Sequence, residues 1–382
     1  MPGPPSPPAL NAGAPAWTGK LRPISTHAVP SLRRLIAASP LLLLLSLLGC
    51  ADESGGGVSS EKLSLIRGRG QLVCGVDGQV PGFSSVSSDG RYAGLDVDIC
   101  RAVAAAVLGD GEKVQFQNLT ATQRFPALAS GQVDLLSRNT TFTLSRDAPG
   151  GNALSFAPVV FHDGAGVMVP AGSPIRSLRD LGGKPVCLLS GATTELELTD
   201  ELRKLSLTFT PLKFSTIEEM FGAYKGGRCA AVSIDRSALA AQRSTEDDPA
   251  SQRLLSEVLS KEPLAPATVQ ADPAWADAVR WVVYALFEAE EQGITQANVQ
   301  QKLAEAKADP KLADRRRLLG VEGNLGSQLG LPDDFVVKAI GAVGNYGEIY
   351  RRNVGEGSRL QIERGPNRLA RDGGLLFSPP FR

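Results

Sequence analysis

Histidine is nearly absent from this chain of 382 residues, which holds only His27 and His162, and no CxxC spacing joins any of its five cysteines. Zinc-type sites need such clusters, so no metal is expected. Net charge is absent too: Lys+Arg and Asp+Glu are both 40, and no long basic stripe advertises nucleic acid as a partner. There is no GxxxxGK[ST] phosphate loop, so ATP hydrolysis must belong to a partner, and no cofactor is expected. What is present fits a soluble globular protein long enough for two compact domains, with disorder confined to the ends.

Apolar residues gather into one uninterrupted block near the amino terminus. After a Pro/Gly/Ala-rich lead, Arg33 and Arg34 precede LIAASPLLLLLSLLGC, too short for a comfortable membrane span and ending in small residues. Residues 1–49 read as an export signal. The last four residues, Leu47-Leu48-Gly49-Cys50, resemble the bacterial lipobox, in which cleavage precedes the cysteine and the thiol carries a lipid. Cys50 would then tether the chain to a membrane surface without spanning it; an ordinary signal with an incidental cysteine is the alternative. ADESGGGVSS supplies a polar, glycine-rich tether over 50–61. The expected location is the periplasm.

Four cysteines remain: Cys74, Cys100, Cys187 and Cys229. An even number in an exported chain points to two disulfides, and four cysteines allow three pairings. Their positions along the strands and helices favour Cys74–Cys100 and Cys187–Cys229.

Those strands and helices alternate. QLVCGVD is a strand; Asp96 can cap a helix with apolar residues at Leu95, Ile99, Val103 and Val107, closed by Gly109; KVQFQNL is a strand, TQRFPALASG a short helix and QVDLLS a strand. That order predicts a parallel sheet with helices on its faces. GAGVMVP leads into a second such unit, with strands at KPVCLLSG, TFTPLKF and RCAAVSID. RLLSEVLSKEPLAPATV is extended enough to lead the chain back, and a long helical region follows. The expectation is an α/β protein of two lobes joined by two crossovers: 62–166 in the first lobe, 167–257 in the second, and 258–382 returning to the first with a helical C-terminal extension.

Ligands in open α/β sheets lie beyond the carboxyl ends of strands. Three stretches sit there: SRNTTFTLSRD, SGATTE and the SID ending at Asp235. Arg146 can offer its planar fork to a carboxylate, with the Thr141 hydroxyl adding a donor. Ser190-Gly191 turns into a helix starting near Thr193, whose free N–H groups favour an anion. Asp235 is placed to accept from an ammonium group. The plain alternatives are that Asp235 and Thr193 only cap their own helices. Taken together, a carboxylate holder and an ammonium holder describe a site for an α-amino acid.

The sequence resembles the amino-acid-binding, solute-binding proteins of ABC transporters. The resemblance runs from LIRGRGQLVCGV to GGLLFSPPFR, through GLDVDICRAVAAAV, SGQVDLLSRNTTFTLSRD, SGATTELEL, RRLLGVEG and AVGNYGEIYRRNVG. It implies the type II periplasmic binding protein fold, no catalysis, and a monomer that delivers free L-amino acids of broad range to a membrane permease with ATPase subunits. It also implies the two cysteine pairings above. By the resemblance, the carboxylate arginine falls on Arg146 with its hydroxyl partner on Thr141, the second-lobe turn on Gly191, Ala192 and Thr193, and the amine-binding aspartate on Asp235. Pocket positions near the ligand side chain fall on Asp77, Phe83 and Leu95. Two departures stand out: Ala192 occupies a usual threonine position, and Leu95 a commonly aromatic one. Other classes remain open. Cyclohexadienyl dehydratases share the fold but need a general acid in the cleft, and no glutamate with that placement is evident. A sensor would differ only in its partner.

Overall fold

The computed structural model describes residues 59–382. The expected export signal, the Cys50 lipidation position and most of the tether lie outside the described residues. Ser60 already belongs to the folded body: its Oγ accepts from the Leu63 N–H at 3.0 Å and donates to Asp272 at 2.8 Å, capping α1 (Glu61–Arg69).

The first sheet is built on β1 (Leu72–Val76), whose five residues are all buried. A small three-stranded sheet follows, β2 (Gln79–Val80), β3 (Ser84–Val86) and β4 (Tyr92–Ala93), and leads into α2 (Leu95–Leu108). Apolar spacing and the left-handed Gly109 end this helix as the sequence predicts, but Asp96 is not its cap. Gly94 is, at φ 137°, where a Cβ would lie 2.1 Å from the Phe83 carbonyl oxygen. Asp96 turns inward instead and accepts from Ser137 Oγ at 3.0 Å and the Asn139 N–H at 3.1 Å. Then come β5 (Val114–Asn118), α3 (Arg124–Ala129), β6 (Leu135–Leu136), the short α4 (Leu144–Asp147) and β7 (Leu154–Phe156).

The chain leaves this lobe through β8 (Phe161–Asp163) and enters the second sheet at β9 (Ala165–Pro170). There follow β10 (Pro185–Leu189), α5 (Thr194–Lys204), β11 (Thr210–Phe214), α6 (Ile217–Lys225), β12 (Ala231–Asp235), α7 (Arg236–Arg243) and β13 (Gln252–Leu254). Thr216 and Glu219 close a capping box on α6, so its start is legible as an S/T-x-x-E pattern. The return runs through β14 (Glu262–Leu264), paired antiparallel with β8, to β15 (Ala267–Val269). These two paired strands are the hinge, and the two crossovers are present as expected.

The sheet orders are β5-β1-β6-β15-β7 and β11-β10-β12-β9-β13. Neither sheet is wholly parallel, which corrects the expectation. Three strands of each run parallel through helical crossovers, while β15 pairs antiparallel with β6 and β7, and β9 with β12 and β13. A chain that crosses to another lobe and returns enters the sheet from the opposite end, a reversal that strand–helix alternation cannot reveal. Both disulfides form as paired above: Cys74–Cys100 ties β1 to α2, and Cys187–Cys229 ties β10 to the segment before β12.

The rest is helical: α8 (Pro273–Glu291), α9 (Val299–Ala308), α10 (Ala313–Leu318), α11 (Leu325–Gln328), α12 (Phe335–Val343) and α13 (Tyr346–Asn353). Trp275 on α8 is fully buried with its indole N–H on the Asp134 carbonyl at 2.9 Å, a packing residue as its spacing implies. α12 lies along α2, and Arg352 grips Asp98 through Nε at 3.0 Å and Nη2 at 2.7 Å. The extension braces the hinge as well as the first lobe. Asn367 accepts from the His162 N–H at 2.6 Å and donates to the His162 carbonyl at 3.3 Å, closing a two-point clasp on β8.

Candidate functional site

A narrow cleft lies between the lobes. The first lobe contributes Asp77, Arg124, Arg138, Asn139, Thr141 and Arg146 to its lining, and the second contributes Ala192, Thr193 and Asp235 with an apolar floor of Leu189, Ile217, Ile234 and Ala238. Six of the residues expected from the sequence thus meet in one place.

Each is set by local structure. The loop after β6 pairs with the hinge strand: Phe142 N–H donates to the Pro263 carbonyl at 2.8 Å and Ala265 N–H to the Thr140 carbonyl at 3.0 Å. Thr141 is thereby held against β14. Arg146 follows on α4, where its Nη1 donates to the Thr141 carbonyl at 2.8 Å and its guanidinium lies 5.2 Å from the Phe125 ring centre. Among the described residues no carboxylate forms an ion pair with it.

Asp235 closes β12 and occupies the cap position of α7, yet its side chain makes no cap bond. The Ser237 N–H goes instead to Asp163 of the hinge, at 3.2 and 3.4 Å to its two oxygens. Asp163 does the capping, and Asp235 keeps its carboxylate for the cleft. Asp235 is 8% exposed, and burial first, then the neighbouring Asp163 and Glu262 carboxylates, push its pKa well above the usual carboxylate range. Thr193 likewise sits at the cap position of α5 without capping; its hydroxyl donates to Glu262 at 2.8 Å.

Gly191 marks where the lobes touch. Its φ is 81°, a Cβ there would lie 2.9 Å from Thr122 of the first lobe, and its carbonyl accepts from Arg124 Nη2 at 3.3 Å. It shapes the turn without lining the cleft, while Ala192 and Thr193 do line it.

Two expected pocket residues are placed differently, and a third is in place but already engaged. Phe83 and Leu95 are buried in the first lobe's core, away from the cleft. The Gly94 turn points Leu95 inward, and Phe83 packs edge-on against Phe161 of the hinge at 5.1 Å. Asp77 does line the cleft, but its carboxylate is engaged by Arg138, whose Nε also donates to the Leu119 carbonyl at 2.8 Å. Thr141 lines the cleft as expected, and its hydroxyl donates to Glu262 at 2.5 Å.

Four residues escaped the sequence reading. Arg124 is buried, lines the cleft and leaves Nε without a partner; burial, with Arg138 and Arg146 nearby, pushes its pKa well down. It passes in the sequence as one residue of a short helix. Asn139 lines the cleft at φ 41° with both amide atoms buried and unpartnered. Arg138 and Asn139 lie within the SRNTT stretch, which marked the place but not the residues. Glu262 sits in an extended segment with no local signal at all.

Residues 72–317 match the family model described as bacterial extracellular solute-binding proteins, family 3. The chain belongs to that family. It is 43% identical over 344 residues to the general L-amino acid-binding periplasmic protein AapJ of Rhizobium johnstonii, spanning 89% of this chain and 99% of that one. The glutamate/glutamine/aspartate/asparagine-binding protein BztA of Rhodobacter capsulatus is 42% identical over 327 residues, spanning 86% and 95%. Among solved structures, a periplasmic binding protein from Brucella ovis with glutathione bound superposes with a TM-score of 0.80 at 44% identity, covering 85% of this chain and all of that one. The fold is that of type II periplasmic binding proteins, and the solute-binding chain is periplasmic, as the Rhizobium and Brucella proteins are. It is a binding protein for transport, not an enzyme, which removes the dehydratase alternative.

Proposed function

We propose that this solute-binding protein captures free L-amino acids in the periplasm and hands them to an ABC permease by closing its lobes. One observation carries the reading: unpaired Arg146 and unpaired Asp235, from opposite lobes, line the same buried cleft. Neither side chain has an ion-pair partner among the described residues, and a zwitterion supplies both. Arg146 takes the α-carboxylate as a fork and Asp235 takes the ammonium. Because the two holders stand on different lobes, a bound ligand stabilises the closed form by contacts the open form lacks. Arg124 and Asn139, with unpartnered polar atoms in the same lining, are the groups left to read the ligand's side chain. The protein acts as a monomer, anchored by lipid at Cys50.

A larger ligand is the second reading. An adjoining cavity of about 190 Å³ shares Asp77, Arg138, Leu189 and Ile217 with the cleft, and its walls include Gln79, Asn118, Thr120, Gln123 and Thr216. Polar and contiguous, it has room for an extension beyond an amino-acid head, such as the remainder of a γ-glutamyl peptide.

The test is calorimetric titration of the oxidised chain from Ser54 onward, one compact unit, against the common L-amino acids and glutathione. Several amino acids should bind without turnover. Arg146→Ala should weaken them by about a hundredfold, as expected when a buried charge partner is removed. Binding unaffected by that change, or no binding at all, sinks the reading. Tight binding of glutathione alone would favour the larger ligand. The anchor is tested separately: Cys50→Ser should move the protein from the membrane to the soluble periplasmic fraction.

A further inference from the structure

Glu262 is 1% exposed and sits on β14 of the hinge, between the lobes. Three hydroxyls donate to its carboxylate. Thr141 of the first lobe reaches Oε2 at 2.5 Å, Thr193 of the second reaches the same oxygen at 2.8 Å, and Ser260 reaches Oε1 at 2.6 Å. Glu262 does not line the cleft; Thr141 and Thr193 do.

A hydroxyl has one proton to give and two lone pairs to offer. With both protons committed to one carboxylate, Thr141 and Thr193 present only acceptors to whatever enters. The ligand group that wants acceptors and nothing else is an ammonium, and Asp235, in the same lining, adds a further acceptor. The guanidinium of Arg146 is the donor left for the carboxylate.

Resting on the amino-acid reading above, we propose that Glu262 is a positioning residue that fixes the donor–acceptor sense of the cleft. By taking the hydroxyl protons of Thr141 and Thr193 it makes the site accept an amino acid and reject the matching 2-hydroxy acid, whose hydroxyl brings one donor and no charge. Because the two threonines come from different lobes, the same carboxylate also registers one lobe against the other as they close.

The test is the ratio of affinities for an amino acid and its 2-hydroxy analogue, measured by calorimetry on the same chain. Wild type should favour the amino acid strongly. In Glu262→Leu the two threonine hydroxyls lose their common acceptor and can turn their protons into the cleft, so the ratio should fall by about tenfold or more. A remote charge effect would lower it as well, and the Thr141→Val/Thr193→Val background separates the two. If Glu262 acts through the hydroxyls, Glu262→Leu changes nothing further there. An equal drop in that background, or an unchanged ratio in a Glu262→Leu protein that still unfolds cooperatively, overturns the proposal. Glu262→Asp gives a second route should the leucine variant not fold, because it keeps the charge but withdraws it by one methylene; the ratio should fall there too, and a ratio that holds counts against the role. If wild type binds neither ligand, the amino-acid reading fails and the proposal falls with it.

Discussion

Asp235 shows how much a single side chain's environment decides. Its backbone position is that of a helix cap, but Asp163 has taken over the cap bond, and burial next to two other carboxylates raises its pKa. A ligand ammonium opposes that shift, since an opposite charge at contact distance favours the ionised form. Binding at a pH where the free protein still holds this proton should release it, and affinity should rise with pH. Titrations in two buffers of different ionisation enthalpy should give different apparent heats, consistent with release; uptake, or no buffer dependence, would contradict this account. Asp235→Asn should bind more weakly and lose the buffer dependence.

At the scale of elements, α2 and the loop after β6 are joined by Asp96. Burial pushes its pKa up to about 7, against the pull of Ser137, Asn139 and Arg138. An acid whose folded pKa lies above its unfolded value near 3.8 stabilises the fold fully only at low pH. That contribution is lost as pH climbs from about 4 through about 7. Asp163, raised to about 6 chiefly by burial, acts in the same direction. The ligand-free protein should melt at a lower temperature at pH 8 than at pH 5. Asp96→Asn retains an acceptor for the Asn139 N–H and should flatten this dependence, which a series of melting curves would read directly. A slope unchanged in the variant would assign the effect elsewhere.

For the molecule as a whole, the decisive motion is the approach of the lobes around β8 and β14. Gly191 sits at their point of contact, and alanine there meets both a left-handed backbone that costs about 1–2 kcal/mol and the methyl of Thr122. Gly191→Ala should weaken ligand affinity by about tenfold. The liganded variant should also scatter X-rays as a more extended particle than liganded wild type. A variant that closes and binds normally would show that the turn has slack which its geometry does not suggest.

The sequence by itself determined the two α/β units, the helix ends at Gly109 and Thr216, the cysteine spacing, and the three strand-end stretches where the site lies. All of these are local: periodicity, capping chemistry and turn residues act over a few positions along the chain. Tertiary structure decided the rest. β15 and β9 run antiparallel to their neighbours because the chain enters each of them from the other lobe, which no window of sequence records. Leu95 faces the core and Asp96 the site loop because the Gly94 turn sets the rotation of α2. Glu262 and Arg124 matter because folding brings them against Thr141 and Gly191, 121 and 67 residues away. A side chain whose role is given by a distant partner carries no mark of it in its neighbours.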